Sequence, residues 1–219
     1  KRSDQSLDME KVKVLITGAN GFLGHYLVPE LLQRGYQVLA TGKGPCRLNM
    51  ENTNGFDYTE MDFTDKQTTR HTVSKYAPDI IVHAGAISKP DDCELDPALA
   101  WSVNTGATQH LLEAAADLGA FFVYISTDFV FDGEHGMYIE EDQPAPVNYY
   151  GQTKLESEKA VQQYKFPWAI VRTVLVYGKP LAGRNNILTI VKEKLEKGEP
   201  YQVVDDQVRT PTYVGDLAE

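Results

Sequence analysis

Two cysteines, Cys46 and Cys93, among 219 residues leave no material for a disulfide framework. Each reads as a small apolar filler in a reducing compartment. The five histidines, His25, His71, His83, His110 and His135, are scattered without metal-ligand spacing, so no metal site is expected. Basic residues are the minority, 21 Lys and Arg against 31 Asp and Glu, and the net charge of -10 argues against nucleic acid or an anionic membrane surface as a partner. No apolar stretch approaches the length of a membrane span, and the opening "KRSDQSLDMEK" lacks the apolar core of a signal peptide. A cytoplasmic protein is expected, with residues 1–10 a disordered lead-in.

What is present is 42% hydrophobic residues, enough to bury the core of one large domain and part of another. The run "KVKVLITGAN" (11–20) is β-branched and apolar, ends in glycine, and precedes Leu23, Leu27 and Leu31 at helical spacing: strand, turn, helix. Similar runs recur in "YQVLATG" (36–42), "PDIIVHAG" (78–85), "AFFVYIST" (120–127) and "FPWAIVRTVLVYG" (166–178), with helical stretches between them. They are continuous rather than alternating, as strands covered on both faces require. Residues 98–119 form a long Ala- and Leu-rich helix pattern closed by Gly119, and residues 149–164 form another. The prediction is an α/β domain, a Rossmann-like doubly wound parallel sheet over residues 11–178, with its ligand beyond the C-terminal ends of the strands. After 178 the helix pattern "NNILTIVKEKLEKG" and the short strand "YQVV" (201–204) suggest a small substrate lobe over 179–219. "TPTYVGDLAE" stops on the first turn of a helix, so that lobe is expected to be incomplete at its C-terminus.

Gly18, Gly21 and Gly24 in "TGANGFLG" fall at three-residue intervals where the first strand meets the first helix. A dinucleotide needs such a tight turn, a bare backbone for its pyrophosphate, and the free N–H groups and positive dipole of a helix N-terminus. Asn20, Phe22 and Leu23 within the turn join them as candidate cofactor contacts. The second strand ends in "ATGKGPCR", with no carboxylate for a ribose 2'-hydroxyl; Lys43 and Arg47 are instead suited to a 2'-phosphate. NADP(H) is therefore favoured, with NAD(H) as the alternative. Ala84, Gly85 and Ala86 in "HAGAIS" (83–88) are small enough for a cofactor to lie along the backbone.

In "NYYGQTK" (148–154), Tyr150 and Lys154 stand four apart on a helix pattern and so share a face. A free tyrosine titrates near pH 10, and an adjacent ammonium lowers that value and makes the phenol a usable proton donor or acceptor. Ser126 and Thr127, at the end of the preceding strand, offer a hydroxyl to a substrate carbonyl.

The G-x-x-G-x-x-G turn resembles that of the extended short-chain dehydrogenase/reductase family, whose Thr/Ser, Tyr, Lys and Asn set is matched by Thr127, Tyr150, Lys154 and Asn104. Within that family, "STDFVFDG", "EEDQPAPVNYYGQTKLESEKAV", "VRTVLVYG", "NNIL" and "DDQVRTPTYVGDLA" are similar to the dTDP-4-dehydrorhamnose reductases over nearly all of residues 11–218. The resemblance implies hydride transfer from NADPH to C4 of a dTDP-4-keto-6-deoxyhexose. Tyr150 would protonate the forming alkoxide, Thr127 hold the carbonyl oxygen, and Lys154 grip the nicotinamide ribose and depress the tyrosine. It also implies that Asp62, beside Phe63 in "EMDFTD", closes the third strand and meets the adenine. Asn185, Asn186, Arg209, Thr210 and Pro211 would border the nucleotide-sugar, although an Asn pair is also an ordinary helix cap. "KPDDCE" (89–94) falls where the family places a loop beside the sugar, and a homodimer is compatible with the resemblance. Two alternatives stay open: a sugar-nucleotide epimerase or dehydratase that retains its NAD, and a non-catalytic regulatory subunit like the beta subunit of methionine adenosyltransferase, which shares the "DFVFDG"-like segment and the YxxxK helix.

Overall fold

The computed structural model describes residues 11–50, 53–181 and 185–219; the lead-in expected over residues 1–10 lies outside them. The elements are β1 (Lys13–Thr17), α1 (Gly24–Gln33), β2 (Gln37–Gly42), β3 (Phe56–Glu60), α2 (Lys66–Tyr76), β4 (Ile80–His83), α3 (Pro90–Leu95), α4 (Pro97–Ala100), α5 (Ala107–Ala116), β5 (Phe121–Thr127), α6 (Tyr149–Gln162), β6 (Trp168–Thr173), β7 (Val176–Tyr177), α7 (Ile187–Glu196), β8 (Thr212–Tyr213) and α8 (Val214–Ala218). Six strands form one parallel sheet in the order β3-β2-β1-β4-β5-β6. The order reverses between β1 and β4, which opens a crevice beyond their C-terminal ends. This is the doubly wound fold expected from the alternation of apolar runs and helix patterns.

The apolar runs form central strands because helices cover both sheet faces. Val14, Ile16, Val38 and Ala40 pack with Val28 of α1 on one face, and Leu15, Ile81 and Phe122 pack with Leu111 of α5 on the other. Each such Val, Leu, Ile or Phe burial contributes about 1.5–3 kcal/mol, and Ala40 less. β3, at the edge, has no buried residue. Side-chain caps set the helix starts: Asp65 accepts from Thr68 N at 2.9 Å to begin α2. Asn148 accepts from Gly151 N at 2.8 Å, which fixes where the helix bearing Tyr150 and Lys154 begins.

Four local expectations differ. The helix over 98–119 is interrupted by a π-helical segment, Trp101–Gly106, between α4 and α5. "KPDDCE" is not a loop: Pro90 in the first turn, with Asp91 and Asp92 at the positive end, starts α3. The run 166–178 divides into β6 and β7 around Leu175, whose φ of 34° bends the chain out of the sheet. "YQVV" is not a strand; Val203 and Val204 are exposed, and no strand among the described residues pairs with it.

After β7, which lies outside the six-stranded sheet, the chain runs into α7, which buries none of its residues. It then returns: β8 pairs in parallel with β7, matching Val176 to Thr212 and Tyr177 to Tyr213. α8 packs against α1, with Val214 and Ala218 buried. Among the described residues no helix is long and apolar enough to cross a membrane.

Candidate active site

A cleft of about 570 Å³ lies at the crevice between the ends of β1 and β4. One wall is the glycine turn. Gly18 has a φ of 67°, and Gly21 N donates to Gly18 O at 2.9 Å to close the turn. A Cβ on Gly18 would stand 2.7 Å from Gly85 Cα, so the chain segments after β1 and β4 meet backbone to backbone. A Cβ on Gly24 would fall 2.0 Å from Ala19 O, so only glycine lets α1 start so close to the strand. No side chain among the described residues caps α1, and its first turn carries no acid. Gly21, His25 and Tyr26 N already donate to backbone carbonyls, but the N–H groups of Phe22, Leu23 and Gly24 have no partner among the described residues, and with the helix's positive end they are left for an anionic group in the cleft.

The opposite wall is built by the end of β5 and the start of α6. Tyr150 and Lys154 are both buried and both line the cleft, as does Thr127. The Phe129 ring meets Tyr150 edge-on, with centroids 5.6 Å apart, which fixes the phenol's plane. Burial pushes the Tyr150 phenol up to about 12, while the neighbouring Thr127 hydroxyl pulls it down and Cys93 and Asp128 add to the rise. Burial brings Lys154 down to about 7, opposed by the Glu158 carboxylate one turn further along α6. The Lys154 ammonium donates to Ile125 O at 2.7 Å and lies 4.0 Å from the centroid of the Tyr124 ring.

The depression of Tyr150 expected from Lys154 is therefore corrected. The lysine is engaged by Ile125 and Tyr124, and desolvation governs both groups. The phenol is protonated at neutral pH, as a proton donor must be, while burial makes it a weaker acid than a free tyrosine. The Thr127 hydroxyl donates to Asp128 Oδ1 at 3.1 Å and accepts from Phe129 N at 3.2 Å. Asp128 in turn faces Arg209, whose guanidinium stands 3.4 Å from Asp128 Oδ2 and 5.2 Å from the centroid of the Phe129 ring. The arrangement joins an anion cradle to a buried proton donor, with a hydroxyl and an arginine at its rim.

Other predicted residues divide between the cleft and its support. Asn20, Lys43, Arg47, Phe63, Ala84, Gly85 and Ala86 line the cleft. Asn104 does not: from the π-helical segment it clasps Ile87, accepting from its N at 2.9 Å and donating to its O at 3.1 Å, and donates to Thr153 Oγ1 at 3.0 Å. It braces the α6 helix from behind. Asp62 lies beyond β3 rather than within it, and its carboxylate accepts from Thr64 N and Oγ1 at 3.0 and 2.6 Å. These Thr64 bonds, with Lys43 at 3.0 Å, hold it below the usual carboxylate range.

Asn185 and Asn186 lie outside the cleft lining, and the helix-cap reading holds for Asn186. Its side chain accepts from Leu188 N and Thr189 N and donates to Gly178 O at 2.6 Å. Asn185 donates to Glu193 at 3.1 Å. Thr210 and Pro211 lead into β8 and are likewise absent from the lining, whereas Arg209 is present.

Sequence reasoning missed Asp128 and Phe129, although both follow Thr127 directly and a carboxylate adjoining a candidate hydroxyl was a readable signal. It also missed Leu175 and Leu217, brought to the cleft from separate segments with no local pattern to mark them.

Residues 12–219 match the family described as the RmlD substrate binding domain. Over 216 residues the chain is 34% identical to methionine adenosyltransferase 2 subunit beta of Rattus norvegicus, covering 98% of this chain and 62% of that protein. Over 209 residues it is 35% identical to the spore coat polysaccharide biosynthesis protein SpsK of Bacillus subtilis, covering 94% and 67%. The solved dTDP-4-dehydrorhamnose reductase of Bacillus anthracis, in complex with NADP, superposes with a TM-score of 0.81 at 34% identity, over 96% of this chain and 69% of that one. The chain thus spans less than two thirds of the length of the adenosyltransferase subunits it matches.

Proposed function

The chain belongs to the RmlD substrate-binding domain family, among the extended short-chain dehydrogenases/reductases, and from that premise we propose that it is an NADPH-dependent reductase of a nucleotide-linked 4-keto-6-deoxy sugar. The observation that carries the reading is the convergence of Thr127, Tyr150 and Lys154 on a cleft whose other wall is a glycine cradle at an uncapped helix start. Residues 11–178 would form the cofactor domain, and 179–219 part of the substrate lobe.

The cradle suits a dinucleotide: a side chain at Gly18 or Gly24 would collide with backbone, and the N–H groups of Phe22, Leu23 and Gly24 at the start of α1 are those a pyrophosphate would take. Lys43 and Arg47 would take a 2'-phosphate, and Ala84, Gly85 and Ala86 would back the cofactor. Bound there, a reduced nicotinamide supplies hydride.

The chain's own part is positioning and proton supply. Tyr150, protonated at neutral pH and lining the cleft, would donate to the substrate oxygen that becomes a hydroxyl. Thr127 would turn its hydroxyl from Asp128 to that oxygen, and Asp128 would keep Arg209 at the rim, where a nucleotide-sugar's diphosphate needs a cation. Lys154, anchored on Ile125 O, would hold a ribose hydroxyl. Asn104, tied to Ile87 and Thr153, would keep α6 in register.

A second reading follows from the identity with the adenosyltransferase beta subunits over 98% of this chain: a regulatory subunit whose cleft binds cofactor without turnover. The test uses the chain extended to the length of its relatives, offered NADPH and a dTDP-4-keto-6-deoxyhexose, with NADPH absorbance as the readout. Turnover that falls at least about 100-fold in Tyr150→Phe supports the reductase. Saturable NADPH binding without turnover, with binding to a methionine adenosyltransferase catalytic subunit, supports the regulatory reading. Cofactor that co-purifies and is not consumed supports an epimerase or dehydratase.

A further inference from the structure

The turn after β2 is exposed at Lys43, Pro45, Cys46 and Arg47, yet protein side chains rather than solvent hold most of its backbone polar groups. Asn20, in the glycine turn, accepts from Arg47 N at 2.8 Å and donates to Pro45 O at 3.0 Å. It also donates to the Tyr58 hydroxyl at 2.9 Å, and that hydroxyl donates onward to Gly44 O at 2.7 Å. Glu60 accepts from Gly44 N at 3.0 Å. The ring of His25, on α1, reaches Gly21 O with Nδ1 at 2.8 Å and Arg47 O with Nε2 at 3.1 Å.

Every one of these bonds to the turn ends on backbone. The brace therefore fixes the turn without using the Arg47 guanidinium or the Lys43 ammonium, the latter 3.0 Å from Asp62, and both residues line the cleft. Water would otherwise satisfy the carbonyls of an exposed turn, so each tie adds only modestly to stability. What the ties supply is a fixed position for two cations relative to the glycine cradle, which lowers the ordering cost of gripping an anion there.

We propose that the Asn20–Tyr58–His25 brace determines coenzyme choice, by presetting Arg47 and Lys43 for a phosphate monoester on the adenosine ribose. This rests on the NADPH reading above. Asn20, expected as a direct cofactor contact, thereby gains a second role, since both ends of its amide are committed to the turn and to Tyr58. Tyr58 and His25 are positioning residues: they act through the backbone of the turn. An adenosine ribose bearing a free 2'-hydroxyl gains little from the two cations, so loosening the turn should weaken its binding far less.

The test is the ratio of NADPH to NADH dissociation constants, measured by calorimetry on wild type, Tyr58→Phe and His25→Gln. Tyr58→Phe keeps the ring on edge strand β3 and removes only the hydroxyl. His25→Gln is the second variant, releasing Arg47 O from the opposite side. The expected result is NADPH binding weakened about tenfold, the scale of one charge-assisted hydrogen bond, with NADH binding changed less than about twofold. Arg47→Ala serves as the reference for complete loss of the preference. A wild-type preference for NADPH that both variants leave intact, or equal weakening of both coenzymes, overturns the brace while leaving the NADPH reading standing. A wild type that does not prefer NADPH overturns that reading, and the brace with it.

Discussion

The Lys154 ammonium sits 4.0 Å from the centroid of the Tyr124 ring, buried together with it beneath the cleft. The ring face offers partial negative charge to a cation that has left water, a contact worth about 2 kcal/mol when desolvated. The Tyr124 hydroxyl is a separate matter: among the described residues it has no well-formed hydrogen bond, and burial raises its pKa, opposed by the nearby Ser157 and Thr108 hydroxyls.

Ring and hydroxyl should therefore separate by mutation. Tyr124→Phe keeps the ring and removes an unpaired buried polar group, so unfolding free energy should be unchanged or rise by up to about 1 kcal/mol. Tyr124→Leu removes the ring and should lose about 2 kcal/mol or more, cavity included. Urea unfolding measures both. A loss above about 1 kcal/mol in Tyr124→Phe would mean that the hydroxyl is bonded after all.

The cradle glycines make a geometric prediction. A Cβ on Gly24 would stand 2.0 Å from Ala19 O, a backbone atom that cannot rotate away. Gly24→Ala should displace α1, cost more than about 2 kcal/mol and abolish dinucleotide binding. Gly136→Ala, where a Cβ meets nothing within 4 Å, should stay within about 0.5 kcal/mol of wild type and bind normally. Melting temperature and coenzyme titration check the pair.

The sheet, its helices and the Tyr150–Lys154 pair were legible because each rests on a local period: continuous apolar runs, helical spacing, glycines at a strand end. For Asn104 and Asn186 the sequence left the direction of the side chain open, since pattern cannot tell a side chain facing a cleft from one bonded to backbone, as these are to Ile87 and Gly178. The pairing of Lys154 with Tyr124 joins α6 to β5 through burial alone and leaves no spacing to read. "YQVV" failed for the complementary reason, an apolar alternation with no neighbouring strand to complete it.

His83 makes the acid side of stability predictable. It is buried between Thr17 Oγ1 at 2.6 Å and Thr108 Oγ1 at 3.0 Å, and burial, reinforced by Lys154, brings it from 6.5 down to about 3. Between those two values the unfolded chain binds the proton and the folded one does not, so the unfolding free energy decreases as pH falls from 6.5 toward 3. The slope from this residue is about 1 kcal/mol per pH unit. His83→Gln, which can still bond a threonine, should flatten the curve in that window. Equal slopes for wild type and variant would remove His83 as the source.

Glu158 is fully buried and accepts from Ser126 Oγ at 2.5 Å and from Arg172 Nε and Nη2 at 3.0 and 2.7 Å. Arg172 is itself held over the Phe131 ring, its centre 5.0 Å away. The cluster locks α6 onto the ends of β5 and β6, the elements that place Thr127 and Tyr150. Removing Arg172 strands the fully buried Glu158 carboxylate, so Arg172→Ala should cost about 3–5 kcal/mol, whereas Glu158→Leu combined with Arg172→Met should recover much of that loss. The pair also bears on the cleft, because Glu158 is what raises Lys154 against the depression caused by burial. Its loss should leave Lys154 neutral over more of the neutral range. If cofactor binding needs the ammonium, the double variant, though folded, should bind more weakly at pH 8 than at pH 6, with a smaller difference in wild type. A double variant whose binding matches wild type at both values would confine the Glu158–Arg172 pair to stability.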